Sequence, residues 1–219
     1  MKFTKDEIRR GMTLYAVTDR TWLGDRTLEQ VVEEVLRGGA TFLQLREKEL
    51  TGEALLSLAR RVKEVAARYR VPFVVNDSVE LALACDADGV HVGQRDLMGR
   101  DIRAIIGPDK ILGITANTVE LAMAAQQAGA DYVGAGAVFG TTTKGDAKNL
   151  SLDTLRDICR AVTIPVVAIG GINAGNLLRL AGTGAAGAAV VSALFAQAQP
   201  EQSARSLRVL AEEMVAAYG

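Results

Sequence analysis

The stretch PFVVNDSVELALACDADGVHVGQRD, Pro72–Asp96, decides the fold. Two short β-rich runs, PFVVND and GVHVGQ, bracket a helical one, SVELALA, and neither β run alternates as a half-exposed strand does. Strands that apolar are covered on both faces, and two strands joined through a helix run parallel. Working outward, LYAVTD from Leu14, FLQLRE from Phe42, ILGIT from Ile111, YVGAGAVF from Tyr132, PVVAIGG from Pro165 and AAVVSA from Ala188 bring the strands to eight. Between them, TLEQVVEEVLRGG, GEALLSLARRVKEVAARY, VELAMAAQQAGA and LDTLRDICRAV place apolar residues three and four apart and often stop at Gly, as amphipathic helices do. Eight strand-then-helix units predict an α/β chain folded as a (β/α)8 TIM barrel, a closed parallel eight-stranded sheet. An open doubly wound sheet uses the same local pattern, but no G-x-G-x-x-G follows the first strand, which weakens a dinucleotide reading. Neither a linker nor a composition break divides residues 1–219, so one domain is expected.

Composition narrows the function classes. The 25 basic and 26 acidic residues nearly cancel, so no global field attracts nucleic acid or an anionic membrane, although a local cluster can still bind an anion. No run of 18 apolar residues appears and MKFTKDEIRR lacks the apolar core of a signal peptide, which predicts a cytoplasmic protein. Cys85 and Cys159 fall in predicted helices without metal-like spacing and are expected as buried free thiols.

A barrel carries its chemistry at the carboxyl ends of its strands, and six of the eight ends hold polar or glycine-rich groups. In QLREK, strand alternation puts Gln44, Arg46 and Lys48 on one side, toward the mouth, and Leu43 and Leu45 on the other. An Arg fork and a Lys point charge suit an anion, whereas the bland alternative is a solvated strand end balanced by Glu47 and Glu49. Asn76 and Asp77 end strand 3, and Asp96 follows strand 4 in GQRD. Two carboxylates from adjacent strands match the oxygen ligands of Mg²⁺; equally, they match N-caps for the helices that follow. Strand 5 ends at Thr115. Gly170 and Gly171 after strand 7, with the backbone near Val191 and Ser192, match the phosphate site that many barrels build there from amide N–H groups, or serve a tight turn alone. His91, the only histidine, lies mid-strand and reads as a satisfied interior group, so no Ser/His/Asp triad is available. Trp22, after strand 1, is either a cover for the mouth or a surface-packed aromatic.

Strands 5 and 6 start 21 residues apart, at Ile111 and Tyr132, but strands 6 and 7 start 33 apart, at Tyr132 and Pro165. The excess lies in TTTKGDAKNLS. A long loop rich in hydroxyls, Gly and Lys can fold over phosphate, with Thr141, Thr143 and Lys144 as donors, although an ordinary hydrophilic loop has the same composition.

The ordered set QLREK, VVND, GVHVGQRD, GIT, TTTK, AIGGI and VVSA, spread from Gln44 to Ser192, resembles the motif set of the thiamine-phosphate synthase family. The resemblance implies a (β/α)8 transferase of thiamine biosynthesis. It would join 4-amino-2-methyl-5-(diphosphooxymethyl)pyrimidine to 4-methyl-5-(2-phosphooxyethyl)thiazole, with release of pyrophosphate. It further implies that Gln44, Arg46, Lys48, Asn76, Thr115 and Lys144 contact the pyrimidine diphosphate, with Arg46, Lys48 and Lys144 acting on the leaving group. Asp77 and Asp96 would hold Mg²⁺, and Thr141, Thr142, Thr143, Gly171, Val191 and Ser192 would meet the thiazole phosphate. Partners would be these small molecules, with a homo-oligomer allowed. Three positions depart from the family pattern: Thr115 stands for serine, Gly140 for the proline before the threonines, and Asn117 for histidine. The first keeps a hydroxyl, the second restores backbone freedom, and none removes a cation or a metal carboxylate. A thiazole tautomerase, a non-catalytic phosphate-ligand sensor on the same barrel, and another phosphate-handling barrel isomerase are the rival readings. The first and last have no need of the REK, ND and RD set.

Overall fold

The computed structural model describes residues 3–140 and 149–217. Eight parallel strands, β1 (Leu14–Val17), β2 (Phe42–Leu45), β3 (Phe73–Asn76), β4 (Gly89–Val92), β5 (Ile111–Thr115), β6 (Tyr132–Gly136), β7 (Val166–Ile169) and β8 (Gly187–Val190), pair in chain order. β8 returns to β1, with Tyr15 opposite Ala189, so the sheet closes into the expected (β/α)8 barrel. Among the described residues eight helices follow β1 and pack around the barrel: α2 (Leu28–Arg37), α3 (Gly52–Arg68), α4 (Val79–Ala84), α5 (Ile102–Ile106), α6 (Val119–Gln127), α7 (Leu152–Ala161) and, after β8, α8 (Ser192–Phe195) followed by α9 (Pro200–Ala216). The unit after β7 has a single 3₁₀ turn, Leu177–Leu180, where the pattern calls for an α-helix.

Local chemistry explains the helix starts. Thr27 accepts from the Gln30 N–H while the Gln30 side chain accepts from the Thr27 N–H, a reciprocal cap on α2. Ser78, Asp101, Thr118 and Ser151 each cap one helix by the same acceptor role. α1 (Lys5–Gly11), which precedes the first strand, sends Ile8 under the barrel. Ile8 and Met12 join Tyr15, Phe42, Val74, Ile111, Tyr132 and Val167 in an interior core, sealing the end opposite the strand carboxyl ends.

A second, larger core lies between sheet and helices, where Leu43, Leu45, Val75, Val90, Leu112 and Val133 meet Val31, Val62, Ala82 and Leu155. The alternation along β2 is therefore real: Phe42 and Gln44 point inward, Leu43 and Leu45 outward. The strands end earlier than the apolar runs. β2 stops at Leu45, β4 at Val92 and β6 at Gly136, so Arg46, Lys48 and Gln94 leave the ladder and belong to loops. The pleat that was expected to set Lys48 beside Gln44 does not extend to it.

Both thiols are free, Cys85 buried and Cys159 half-buried. Burial pushes the Cys159 thiol up to about 12 and the Cys85 thiol upward as well, which keeps both protonated and unreactive near neutrality. Among the described residues, no helix is long and apolar enough to cross a membrane.

Candidate active site

The rim at the strand carboxyl ends is tied together by hydrogen bonds that run from one loop to the next. Thr18, just past β1, accepts from the Arg46 N–H at 2.9 Å through Oγ1 and donates to the Arg46 carbonyl at 3.1 Å. Asp77 N–H donates to the His91 carbonyl at 2.8 Å, which ties the β3 loop to β4. Gln94 donates to the Thr115 carbonyl, Asn117 accepts from the Gly136 N–H at 3.0 Å, and the Val138 and Phe139 N–H groups donate to the Ile169 and Gly170 carbonyls. Asn117, which departs from the family pattern, thus holds the β5 and β6 ends together.

Arg46 is a cation of the rim fixed by an ion pair. Its guanidinium lies 3.4 Å from the Asp19 carboxylate, with side chains only 10% and 11% exposed. Asp19 is itself held through Oδ1 by the Thr21 N–H and hydroxyl. Arg20 and Glu47 form a second ion pair beside it at 3.4 Å, so the sequence TDR after β1 is a template for REK after β2. Glu47 does not balance charge in solvent. Its side chain is 2% exposed, and Oε1 accepts from the Lys48, Glu49 and Leu50 N–H groups, folding the loop that carries Lys48; Oε2 faces Arg20 without an aligned hydrogen bond. Lys48 is exposed in this loop.

The cap alternative for the two carboxylates does not hold. Ser78, not Asp77, caps α4, and Asp101, not Asp96, caps α5. Asp77 sits at φ 62°, a left-handed conformation that costs an L-residue on the order of 1 kcal/mol and is tolerated best by Asn and Asp. Its carboxylate is oriented by the Asn76 amide at 2.7 Å, and that of Asp96 by the Gly93 N–H at 2.8 Å. Both are therefore aimed from the rim by residues of their own loops.

Below the rim, Gln44 and Thr115 stand in the barrel interior. Gln44 is 5% exposed and donates to the Tyr15 hydroxyl at 2.7 Å; Thr115 meets His91 Nε2 at 2.9 Å. His91 Nδ1 lies 3.0 Å from the Tyr132 hydroxyl, which makes His91 the satisfied interior group that its mid-strand position implied.

Across the mouth, side chains give way to backbone. Gly170 and Gly171 have φ 104° and 65°, and a Cβ on Gly171 would sit 2.4 Å from the Gly140 carbonyl oxygen and 2.6 Å from that of Phe139. These glycines let the β6 loop approach the β7 end. The Gly171 carbonyl accepts from both the Asn173 and Asn176 amides, and Val191 and Ser192 form the short turn that opens α8. Thr141, Thr142, Thr143 and Lys144 lie outside the described residues. Trp22 is 36% exposed in the loop after β1.

Sequence reasoning missed Thr18, Asp19 and Glu47, although LYAVTD ends in a strand-end carboxylate as plainly as VVND does. It also missed the Tyr15 and Tyr132 hydroxyls, for which an apolar run offers no signal.

A family model described as thiamine monophosphate synthase matches residues 14–194. The thiamine-phosphate synthase of Ruminiclostridium cellulolyticum is 51% identical over 195 residues, covering 89% of this chain and 93% of its own. That of Clostridium tetani is 46% identical over 195 residues, with the same two coverages, 89% and 93%. A solved thiamine phosphate pyrophosphorylase from Pyrococcus furiosus has a TM-score of 0.87 at 37% identity, over 94% of this chain and 98% of that chain. The (S)-3-O-geranylgeranylglyceryl phosphate synthase of Thermoplasma acidophilum, solved with sn-glycerol-1-phosphate, shares the fold alone, at 13% identity, a TM-score of 0.68 and coverages of 95% and 97%. With the matched region spanning all eight strands of the barrel and the ordered rim motifs, the chain belongs to the thiamine monophosphate synthase family.

Proposed function

We propose that this chain joins 4-amino-2-methyl-5-(diphosphooxymethyl)pyrimidine to 4-methyl-5-(2-phosphooxyethyl)thiazole, forming thiamine phosphate and releasing pyrophosphate, with the two anions on opposite sides of the mouth. The division of the rim carries this reading. Cations and carboxylates stand over β1 to β4, and glycine backbone stands over β6 and β7.

The C–O bond between the pyrimidine methylene and diphosphate breaks with its electron pair leaving on the diphosphate. The thiazole nitrogen lone pair then forms the new C–N bond. No proton needs to be removed, so the engagement of both His91 ring nitrogens inside the barrel costs the reaction nothing. The demands are positioning and neutralisation of the leaving anion. Arg46, held by Asp19, offers its fork to the diphosphate, and Lys48 adds a point charge from a loop ordered by Glu47. Lys144 and Thr141 to Thr143 enter through the resemblance alone, Lys144 on the diphosphate and the threonines on the thiazole phosphate. Gly171, Val191 and Ser192 supply backbone and hydroxyl groups to that phosphate. Asn76 orients Asp77 and meets the diphosphate side.

Magnesium suits the donor set in kind. Asp77 and Asp96 are two hard carboxylates at adjacent strand ends, and among the described residues no His, Cys, Asp or Glu completes a three-ligand cluster. Mg²⁺ is the ion that takes one or two carboxylates and fills its shell with water and substrate phosphate. When bound there it would supply charge neutralisation on the diphosphate oxygens.

The test is a pyrophosphate-release assay. Release is expected only with both substrates and Mg²⁺ present; binding of the substrates without release would favour the sensor reading. Arg46→Ala and Asp77→Asn, the latter keeping a residue that accepts φ 62°, should each lower turnover about 100- to 1,000-fold with the fold intact. Near-normal turnover in both would sink the assignment.

A further inference from the structure

We propose that Gln44, Tyr15, Tyr132, His91 and Thr115 form a single oriented hydrogen-bond relay across the barrel, so that Gln44 and Thr115 cannot choose donor or acceptor roles independently. For its effect on substrate this rests on the reading that both residues touch the pyrimidine. The links are Gln44 Nε2 to Tyr15 Oη at 2.7 Å, Tyr15 Oη to Tyr132 Oη at 2.8 Å, Tyr132 Oη to His91 Nδ1 at 3.0 Å and His91 Nε2 to Thr115 Oγ1 at 2.9 Å. Both tyrosines are fully buried, and burial pushes their hydroxyls well above the ordinary value, so each keeps one hydrogen to give.

One hydrogen each leaves no freedom. With the Gln44 amide nitrogen turned to Tyr15, the Tyr15 hydrogen goes to Tyr132 and the Tyr132 hydrogen to His91 Nδ1. The ring hydrogen of His91 is then on Nε2, pointing at the Thr115 oxygen, and the Thr115 hydroxyl is released as a donor away from the ring. Reversing one link alone breaks its neighbour, leaving either a buried hydroxyl without an acceptor or two acceptors facing each other without a hydrogen. Only a complete reversal, with the Gln44 carbonyl turned to Tyr15, satisfies the same groups. Space is reserved for the relay: a Cβ on Gly113 would lie 2.2 Å from Tyr132 Cζ and 2.5 Å from His91 Nδ1.

In the first state Gln44 keeps its carbonyl, and Thr115 its hydrogen, for the ligand. That pair fits a heterocycle offering an amino donor to Gln44 and a ring-nitrogen acceptor to Thr115. Tyr15, Tyr132 and His91 are positioning residues that tie the two choices together.

His91 is the only histidine of the 219 residues, so ring ¹⁵N shifts of the untagged, labelled full chain read a single imidazole. The native protein should show the Nε2–H tautomer, and Gln44→Glu at pH 8, which puts an acceptor against Tyr15, should switch it to Nδ1–H across two intervening hydroxyls. Tyr132→Phe should abolish the switch and leave mixed tautomers, and it keeps the test decisive where Gln44→Glu fails to fold. An Nδ1–H or mixed native ring, or an unchanged tautomer in a folded Gln44→Glu, overturns the relay. The 4-oxo analogue of the pyrimidine diphosphate, whose donor and acceptor are exchanged, should lose at least tenfold in kcat/KM with the thiazole KM unmoved; equal use overturns the selection. Calorimetry with the pyrimidine diphosphate tests the binding site separately, since the tautomer needs no substrate to be read.

Discussion

The two sides of the barrel mouth are built from different materials. Over β1 to β4 the rim is made of side chains fixed by other side chains: Arg46 by Asp19, the Lys48 loop by Glu47, Asp77 by Asn76. Over β6 and β7 it is made of backbone brought close by glycine, with Gly171 opposite the Phe139 and Gly140 carbonyls. The first material concentrates charge and suits a polyanion that departs with a growing negative charge; the second surrounds a phosphate that only has to stay in place. It follows that the two sides should fail differently: one by losing charge, the other by gaining atoms.

The largest break in this contrast comes from adding one methyl group. Gly171→Ala places a Cβ against two backbone oxygens at φ 65°, and should destabilise the protein by about 2–4 kcal/mol in chemical denaturation and weaken thiazole phosphate binding most. If stability and that binding are both unchanged, the backbone side is not shaped by its glycines. On the other side the complementary change removes only charge. Asp19→Asn should leave the fold standing and lower kcat/KM for the pyrimidine diphosphate by about tenfold, because Arg46 loses the anion that holds its fork. An equal loss for the thiazole phosphate would erase the proposed division.

The smallest effect concerns the interior shared by both sides. Tyr15 and Tyr132 have hydroxyls raised above 10.0, first by burial, so folded tyrosines hold their protons where unfolded ones release them. This stability is complete below pH 10 and declines as pH rises past that value, by at most about 1.4 kcal/mol per pH unit for each buried hydroxyl. Tyr132→Phe should flatten the alkaline decline in denaturant midpoint; an unchanged slope would show that the hydroxyl is not buried as described.

The legibility of the sequence followed the range of the interactions. SVELALA between two apolar runs was readable because helix and strand periods are properties of neighbouring residues. Strand alternation sets Gln44 on the face opposite Leu43 and Leu45, but it has no meaning for Arg46 and Lys48, because the pleat ends at Leu45. Asp77 and Asp96 looked like helix caps because sequence shows only that an acceptor precedes a helix; which acceptor closes the turn, Ser78 and Asp101 here, depends on backbone dihedrals set by the packed sheet. Asp19 was passed over since its meaning lies in Arg46, 27 positions away.

By itself, then, the sequence determined that eight apolar strands alternate with helices and that cations, carboxylates and glycines end those strands, all of it carried by local periodicity and residue chemistry. The closed barrel alone brought Asp19 to Arg46, Glu47 to Arg20 and Gln44 through two tyrosines to His91. Pairings of this kind span up to 117 residues, from Tyr15 to Tyr132, and exist only once closure sets all eight strand ends on one ring.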